Sequence, residues 1–167
     1  MAQFLSRTAW DARCRRIESQ PLAPNLGTQV DLAAAAFGDR PAIVMLGYLQ
    51  PIETGVGDVL IEQGTPDRSV FFVESGAISV HRVSSKEQMK LAVLTAGSVV
   101  GEGSFFSRQP HSANVVVTGA GRVWRLTAIR FAEMSNRQPN MALEIAMALG
   151  AVIAKRMAHR SKRVAVT

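Results

Sequence analysis

Cysteine is nearly absent from this chain of 167 residues. Cys14 stands alone, so no internal disulfide and no cysteine-built zinc site can form. Histidine is scarce as well. His81, His111 and His159 are scattered, whereas a metal-bearing β-roll needs a His-x-His pair and a further histidine. Long apolar runs are missing. The longest, Met141 to Ala154, contains Glu144 and falls short of the roughly 20 residues a membrane span needs. The opening MAQFLSRTAW lacks the basic start and apolar core of a secretory signal. No P-loop, no dinucleotide-binding glycine pattern and no G-x-S-x-G elbow occurs. The expectation from these absences is a cytoplasmic protein with no membrane span, no catalytic residue, no metal and no resident cofactor.

What is present is the composition of an ordinary globule, 47% hydrophobic and 19% charged. The length suits one domain with terminal additions. Charge is unevenly placed. Gly38 to Met134 holds nine basic and nine acidic residues, while Ser135 to Thr167 holds six basic and one acidic. The basic excess therefore belongs mainly to the ending KRMAHRSKR. Such a run can meet nucleic acid or anionic lipid. The favoured reading is the C-terminal end of a helix, where cations interact favourably with the helix dipole and keep an apolar helix soluble.

Three segments follow from the patterning. Residues 1–37 read as a helical N-terminal segment, with a weak helix over Phe4 to Glu18, the breaker PLAPNLG, and a short helix after Asp31. Residues 38–134 change to short runs rich in β-branched and aromatic residues: YLQPIE, DVLIEQ, SVFFVE, AISVHRV, LAVLT, ANVVVT and RVWRLT. Glycine-bearing turns separate them, as in an antiparallel sandwich, roll or barrel. Residues 135–167 carry a long helix from Asn140 to about Arg160, preceded by a short one over Ala128 to Met134. On the long helix Leu143, Met147, Gly150, Ala154 and Met157 form one stripe, and Ile145, Leu149, Val152 and Ile153 another. A helix apolar on two faces has two partners: here its own β-domain and, as the expected second, the same helix of another copy.

The β pattern is interrupted at Gly101 to Val115, GEGSFFSRQPHSANV. Gly101 and Gly103 allow close backbone approach to a ligand. A short helix starting there presents amides that attract an anion, phosphate above all. Glu102 would repel that phosphate at the same spot, so it suits another part of the ligand, such as a ribose hydroxyl pair. Ser112 and Ala113 are small enough to let their amides approach a phosphate oxygen, and His111 is the nearby side chain able to carry positive charge.

Tyr48 to Met134 resembles a cyclic nucleotide-binding domain, the family found in regulatory subunits of the cyclic AMP-dependent kinase, catabolite-activator-type regulators and gated ion channels. The family's phosphate-binding cassette runs approximately Phe-Gly-Glu-Leu-Ala-Leu, a short spacer, then Pro-Arg-Ala-Ala. Here VGEGSFF, SRQ and PHSA follow in that order. GDVLIEQGTPDRSVFFVESGAISV resembles the family's early strands. The resemblance implies a mainly β fold, an eight-stranded antiparallel β-roll of jelly-roll type flanked by helices, with the long last helix as hinge, lid or dimer contact. It implies cyclic AMP or cyclic GMP as ligand, with Glu102 accepting from the ribose 2′-hydroxyl. Gly101, Gly103 and Ser104 would supply amides, Ser112 and Ala113 would flank the phosphate, and Val93 and Val100 would touch base or sugar. His111 departs from the family's arginine. It replaces a permanently charged fork by one ring nitrogen whose ordinary pKa is about 6.5. Arg108 on the spacer is a candidate substitute. Normal binding with adapted contacts, weak and pH-dependent binding, and a retired pocket all remain open.

The function expected is thus a stand-alone sensory domain, dimeric through its last helix, with a partner protein or the dimer itself as its output. No helix-turn-helix is expected, since the chain stops soon after Arg163. The alternative is a degenerate β-roll that binds no nucleotide and serves as a dimerisation or protein or nucleic-acid interaction module.

Overall fold

The computed structural model describes residues 47–84 and 88–164, with side chains to Ala158. The expected helical segment over residues 1–37 and the basic side chains from His159 onward lie outside the described residues. Eight strands and three helices follow one another: β1 (Gln50–Thr54), β2 (Val59–Ile61), β3 (Ser69–Val73), β4 (Ala77–Val83), β5 (Gln88–Thr95), β6 (Val99–Val100), α1 (Glu102–Ser107), β7 (Asn114–Gly119), β8 (Gly121–Thr127), α2 (Ala128–Arg137) and α3 (Pro139–Val164).

The strands form two four-stranded sheets, ordered β1-β8-β3-β6 and β2-β7-β4-β5, and every pairing is antiparallel. The expected mainly β roll with flanking helices is the fold found. Period-two alternation explains how one sheet serves two cores. From the first sheet, Ile52, Phe71, Val73 and Val123 face the second sheet, where Leu60, Ile61, Ile78, Val115 and Val117 meet them. The alternate residues of the same strands, Val70, Trp124 and Leu126, point the other way and bury against Met134, Ala142, Ile145 and Leu149 of the last two helices. With both faces covered, β3 has no exposed alternate and after Ser69 reads as an unbroken apolar run, VFFV.

The helices begin where the sequence signals them and run past the expected ends, α2 to Arg137 and α3 to Val164. Thr127 caps α2, its hydroxyl accepting from the Arg130 amide at 3.2 Å. Pro139 stands at the first position of α3, where its missing N–H costs nothing. The inner face of α3 carries Ala142, Ile145 and Leu149, all buried. Its outer face leaves Leu143, Met147 and Met157 exposed at 61%, 68% and 63%. The two stripes thus have opposite fates, one packed on the β-roll and one open.

Candidate functional site

The cassette lies between β6 and β7. Gly101 sits in the left-handed region at φ 89°. A Cβ there would lie 2.3 Å from the Ser69 carbonyl oxygen, so the position admits only glycine. This turn aims α1 outward from the end of β6. The first ladder bond of α1 is Phe105 N–H to Gly101 O, at 3.1 Å. The amides of Glu102, Gly103 and Ser104 therefore precede the ladder. Gly103 has open space where a side chain would be.

The second half of the cassette is pinned from below. The His111 amide donates to Thr65 O at 3.0 Å, and the Gly64 amide donates to His111 O at 2.8 Å. The Gln63 amide donates to Asn114 Oδ1 at 2.7 Å. These bonds fold residues 110–114 back over the end of β2. Between the two halves lies a hollow of about 150 Å³. Gly101, Glu102, Gly103, Ser104, His111, Ser112, Ala113 and Val100 line it, as do Ile61, Val80, Val115 and Arg156.

Eight of the nine residues singled out in the sequence are thus brought to one hollow. Val93 is not. Its partner across the ladder is Ser79, whereas Val80, which faces the hollow, pairs with Ala92. Successive residues of a strand point to opposite faces, so Val93 is turned outward and is 53% exposed. Arg108 does not reach the hollow either. It ends α1 at φ 59° and lines a separate cleft with Arg68, Phe106 and Phe131.

Glu102 is 8% exposed and its carboxylate is already engaged. Arg156, on α3, holds it through Nη1 and donates through Nη2 to the Val99 carbonyl at 2.6 Å. In the sequence Arg156 belongs to the basic ending KRMAHRSKR. Its position on the helix carried the signal: it continues the buried series Ala142, Ile145, Leu149 at spacings of three, four and seven.

His111 is 5% exposed. Its Nδ1 and the Ser104 hydroxyl share a hydrogen bond of 3.0 Å, while Nε2 is buried with no hydrogen-bond partner. Burial pushes its pKa below 6.5, outweighing the upward pull of Asp67 and Glu102. The imidazole in the place of the family's arginine is therefore the neutral form at neutral pH.

The site is tied to the helices through Phe105, 3% exposed on α1. Its ring meets Phe131 of α2 edge-on at 5.2 Å and shares a core with Ile145 and Leu149 of α3. Arg68 donates from Nη2 to the Phe105 carbonyl at 2.9 Å. Among the described residues no three histidine, cysteine or acidic side chains gather to hold a metal ion. No helix among them is long and apolar enough to cross a membrane.

Comparison with known proteins agrees with this geometry. Residues 53–138 match the family described as cyclic nucleotide-binding domain. Glutaminase 2 of Bradyrhizobium diazoefficiens is 31% identical over 140 residues, which are 84% of this chain and 22% of that protein. Acetyltransferase Pat of Mycolicibacterium smegmatis is 34% identical over 91 residues, 52% of this chain and 27% of that one. The chain thus spans about a quarter of the length of these curated relatives. Among solved structures, a cyclic nucleotide-binding domain from Methylobacillus flagellatus superposes with a TM-score of 0.70 at 18% identity, covering 83% of this chain and 82% of that one.

Proposed function

Since the chain belongs to the cyclic nucleotide-binding domain family, we propose that its hollow binds cyclic AMP or cyclic GMP and that α3 reports the binding. The observation that carries this reading is the convergence on one hollow of three pre-ladder amides, a buried carboxylate and the small pair Ser112-Ala113. Amides at a helix start suit a phosphate, and a carboxylate suits a ribose hydroxyl. At about 150 Å³ the hollow is smaller than the roughly 300–1,000 Å³ of usual ligand sites. Arg156 occupies part of the difference. Binding therefore requires Arg156 and the helix that bears it to move, which is how occupancy becomes a signal.

The domain works as a regulator rather than as a catalyst. Its output is α3, whose outer stripe of Leu143, Met147 and Met157 meets a second copy of the chain. A protein that listens to it is the remaining partner. The much longer curated relatives are named as a glutaminase and an acetyltransferase, which makes an enzyme the partner class to try first.

Thermal denaturation with added nucleotide tests the reading. Cyclic AMP or cyclic GMP is expected to raise the melting temperature, and Glu102→Ala to abolish the rise. An unchanged melting temperature with both nucleotides contradicts it. One observation favours the second reading, a β-roll retired from nucleotide binding: the carboxylate expected to hold the ribose is already satisfied by Arg156. Under that reading neither nucleotide changes the melting temperature, while Met147→Glu still converts a dimer to a monomer in sedimentation.

A further inference from the structure

We propose that the positive charge for the ligand's phosphate comes from Arg156 on α3 and not from the cassette, so that charge neutralisation and helix position are a single event. The inference rests on the reading of the hollow as a cyclic nucleotide site and adds which residue grips the phosphate.

Two side chains lining the hollow can carry positive charge, His111 and Arg156. His111 is the weaker candidate: Nδ1 is spent on Ser104, only the buried Nε2 is unpartnered and can make one bond, and the ring is almost wholly buried. A protonated ring there would have to be desolvated. Arg156 is charged at any working pH and remains 38% exposed. Its bonds to Glu102 and the Val99 carbonyl use two of the five N–H donors of a guanidinium. Once turned from Glu102, the same fork can hold a phosphate oxygen.

The charge balance points the same way. Glu102 and Arg156 cancel, so the hollow is neutral as it stands. A ligand that brings one negative charge needs the cation released from Glu102, and it supplies the replacement itself, because a ribose hydroxyl can donate to the freed carboxylate. Glu102 exchanges Arg156 for the hydroxyl and Arg156 exchanges Glu102 for the phosphate. Both exchanges conserve charge-assisted bonds, which keeps the desolvation cost of the buried acid from rising.

The placement of Arg156 is fixed by the fold. It lies at the end of the inward series Ala142, Ile145, Leu149, so packing of α3 on the β-roll delivers the guanidinium to the hollow. A cation on the cassette itself would bind phosphate without consulting the helix. A cation on α3 cannot.

The experiment is isothermal titration of the full chain with cyclic AMP against adenosine, and cyclic GMP against guanosine, in wild type, Arg156→Gln and Arg156→Lys. The readout is the ratio of affinities with and without the phosphate. Arg156→Gln is expected to lower that ratio about ten- to hundredfold, the worth of one charge-assisted bond, with nucleoside binding little changed. Arg156→Lys is expected to retain an intermediate ratio. If Arg156→Gln leaves a partner charge buried and fails to fold, the double variant Glu102→Gln/Arg156→Gln removes both charges and must show the same collapsed ratio. An unchanged or increased ratio in the glutamine variants overturns the inference and leaves Arg156 as the counter-ion of Glu102 alone. Absence of any cyclic nucleotide binding by wild type sinks the parent reading first, and the inference with it.

Discussion

Arg156 of α3 and Glu102 of α1, 54 positions apart, form an ion pair across the mouth of the hollow. It is the one ion pair among the described residues that joins the cassette to the long helix. The acid is nearly buried and the base partly so, so removing one partner costs more than it does in the usual surface bridge.

Breaking it from either side has a calculable consequence. Glu102→Gln and Arg156→Gln are each expected to cost about 1–3 kcal/mol of stability, since each strands a charged partner. The double variant is expected to cost less than the sum by about 0.5–3 kcal/mol. Urea denaturation of the four proteins measures the coupling. Strict additivity means that the two side chains do not interact in solution.

Gly101 is expected to tolerate nothing larger. Gly101→Ala meets about 1–2 kcal/mol for the left-handed backbone, with a carbonyl overlap in addition. Destabilisation beyond about 2 kcal/mol in chemical denaturation is the outcome expected, with loss of any nucleotide-induced thermal shift. Gly103→Ala, where space is open, is the control and should fold normally.

Phe105 packs the cassette against α2 and α3. Phe105→Ala is expected to cost about 3–5 kcal/mol, because a side chain packed between two helices and a sheet leaves a cavity. Phe105→Leu keeps most of the volume and loses the edge-on ring contact with Phe131. It is expected to fold, to bind nucleotide, and to show a smaller ligand-induced change in hydrogen exchange along α3. An identical change in α3 would show that the signal bypasses this ring.

Acid should destabilise the fold. His111 and His81 both have pKa values lowered by burial, and Lys90 lowers that of His81 further. A histidine kept neutral by folding takes up its proton more readily when unfolded. Its contribution is therefore complete above about pH 6.5 and is lost as pH falls below that value. Melting temperatures are expected to be flat from about pH 8 to about 7 and to fall toward about pH 5. His111→Gln should flatten part of that decline. A wild-type curve that rises on acidification contradicts the burial of these rings.

The strands were legible in the sequence because each pairs β-branched residues with glycine turns, and the cassette because GEGSFF and PHSA keep their order. What failed to show is instructive. The family resemblance assigns Val93 to the ligand, but the face a strand residue takes depends on register, and the pairing of Val80 with Ala92 turns Val93 away from the hollow. Arg156 was read as one more cation in a basic ending, since local charge density hid its phase. Only the apolar series Ile145, Leu149, Val152, Ile153, extended by one turn, places it on the inner face. The burial of His111 had no local signal at all, because it is produced by bonds to Gly64 and Thr65, far away in sequence.

Amide chemical shifts of isotope-labelled protein titrated with cyclic AMP and with cyclic GMP test the central claim at its source. With at least one of the two, the expected result is saturable displacement of the Gly101, Gly103, Ser104, Ser112 and Ala113 amides, accompanied by residues around Arg156. Spectra that stay superimposable throughout both titrations, or shifts confined to the outer face of α3, would contradict a nucleotide site in this hollow.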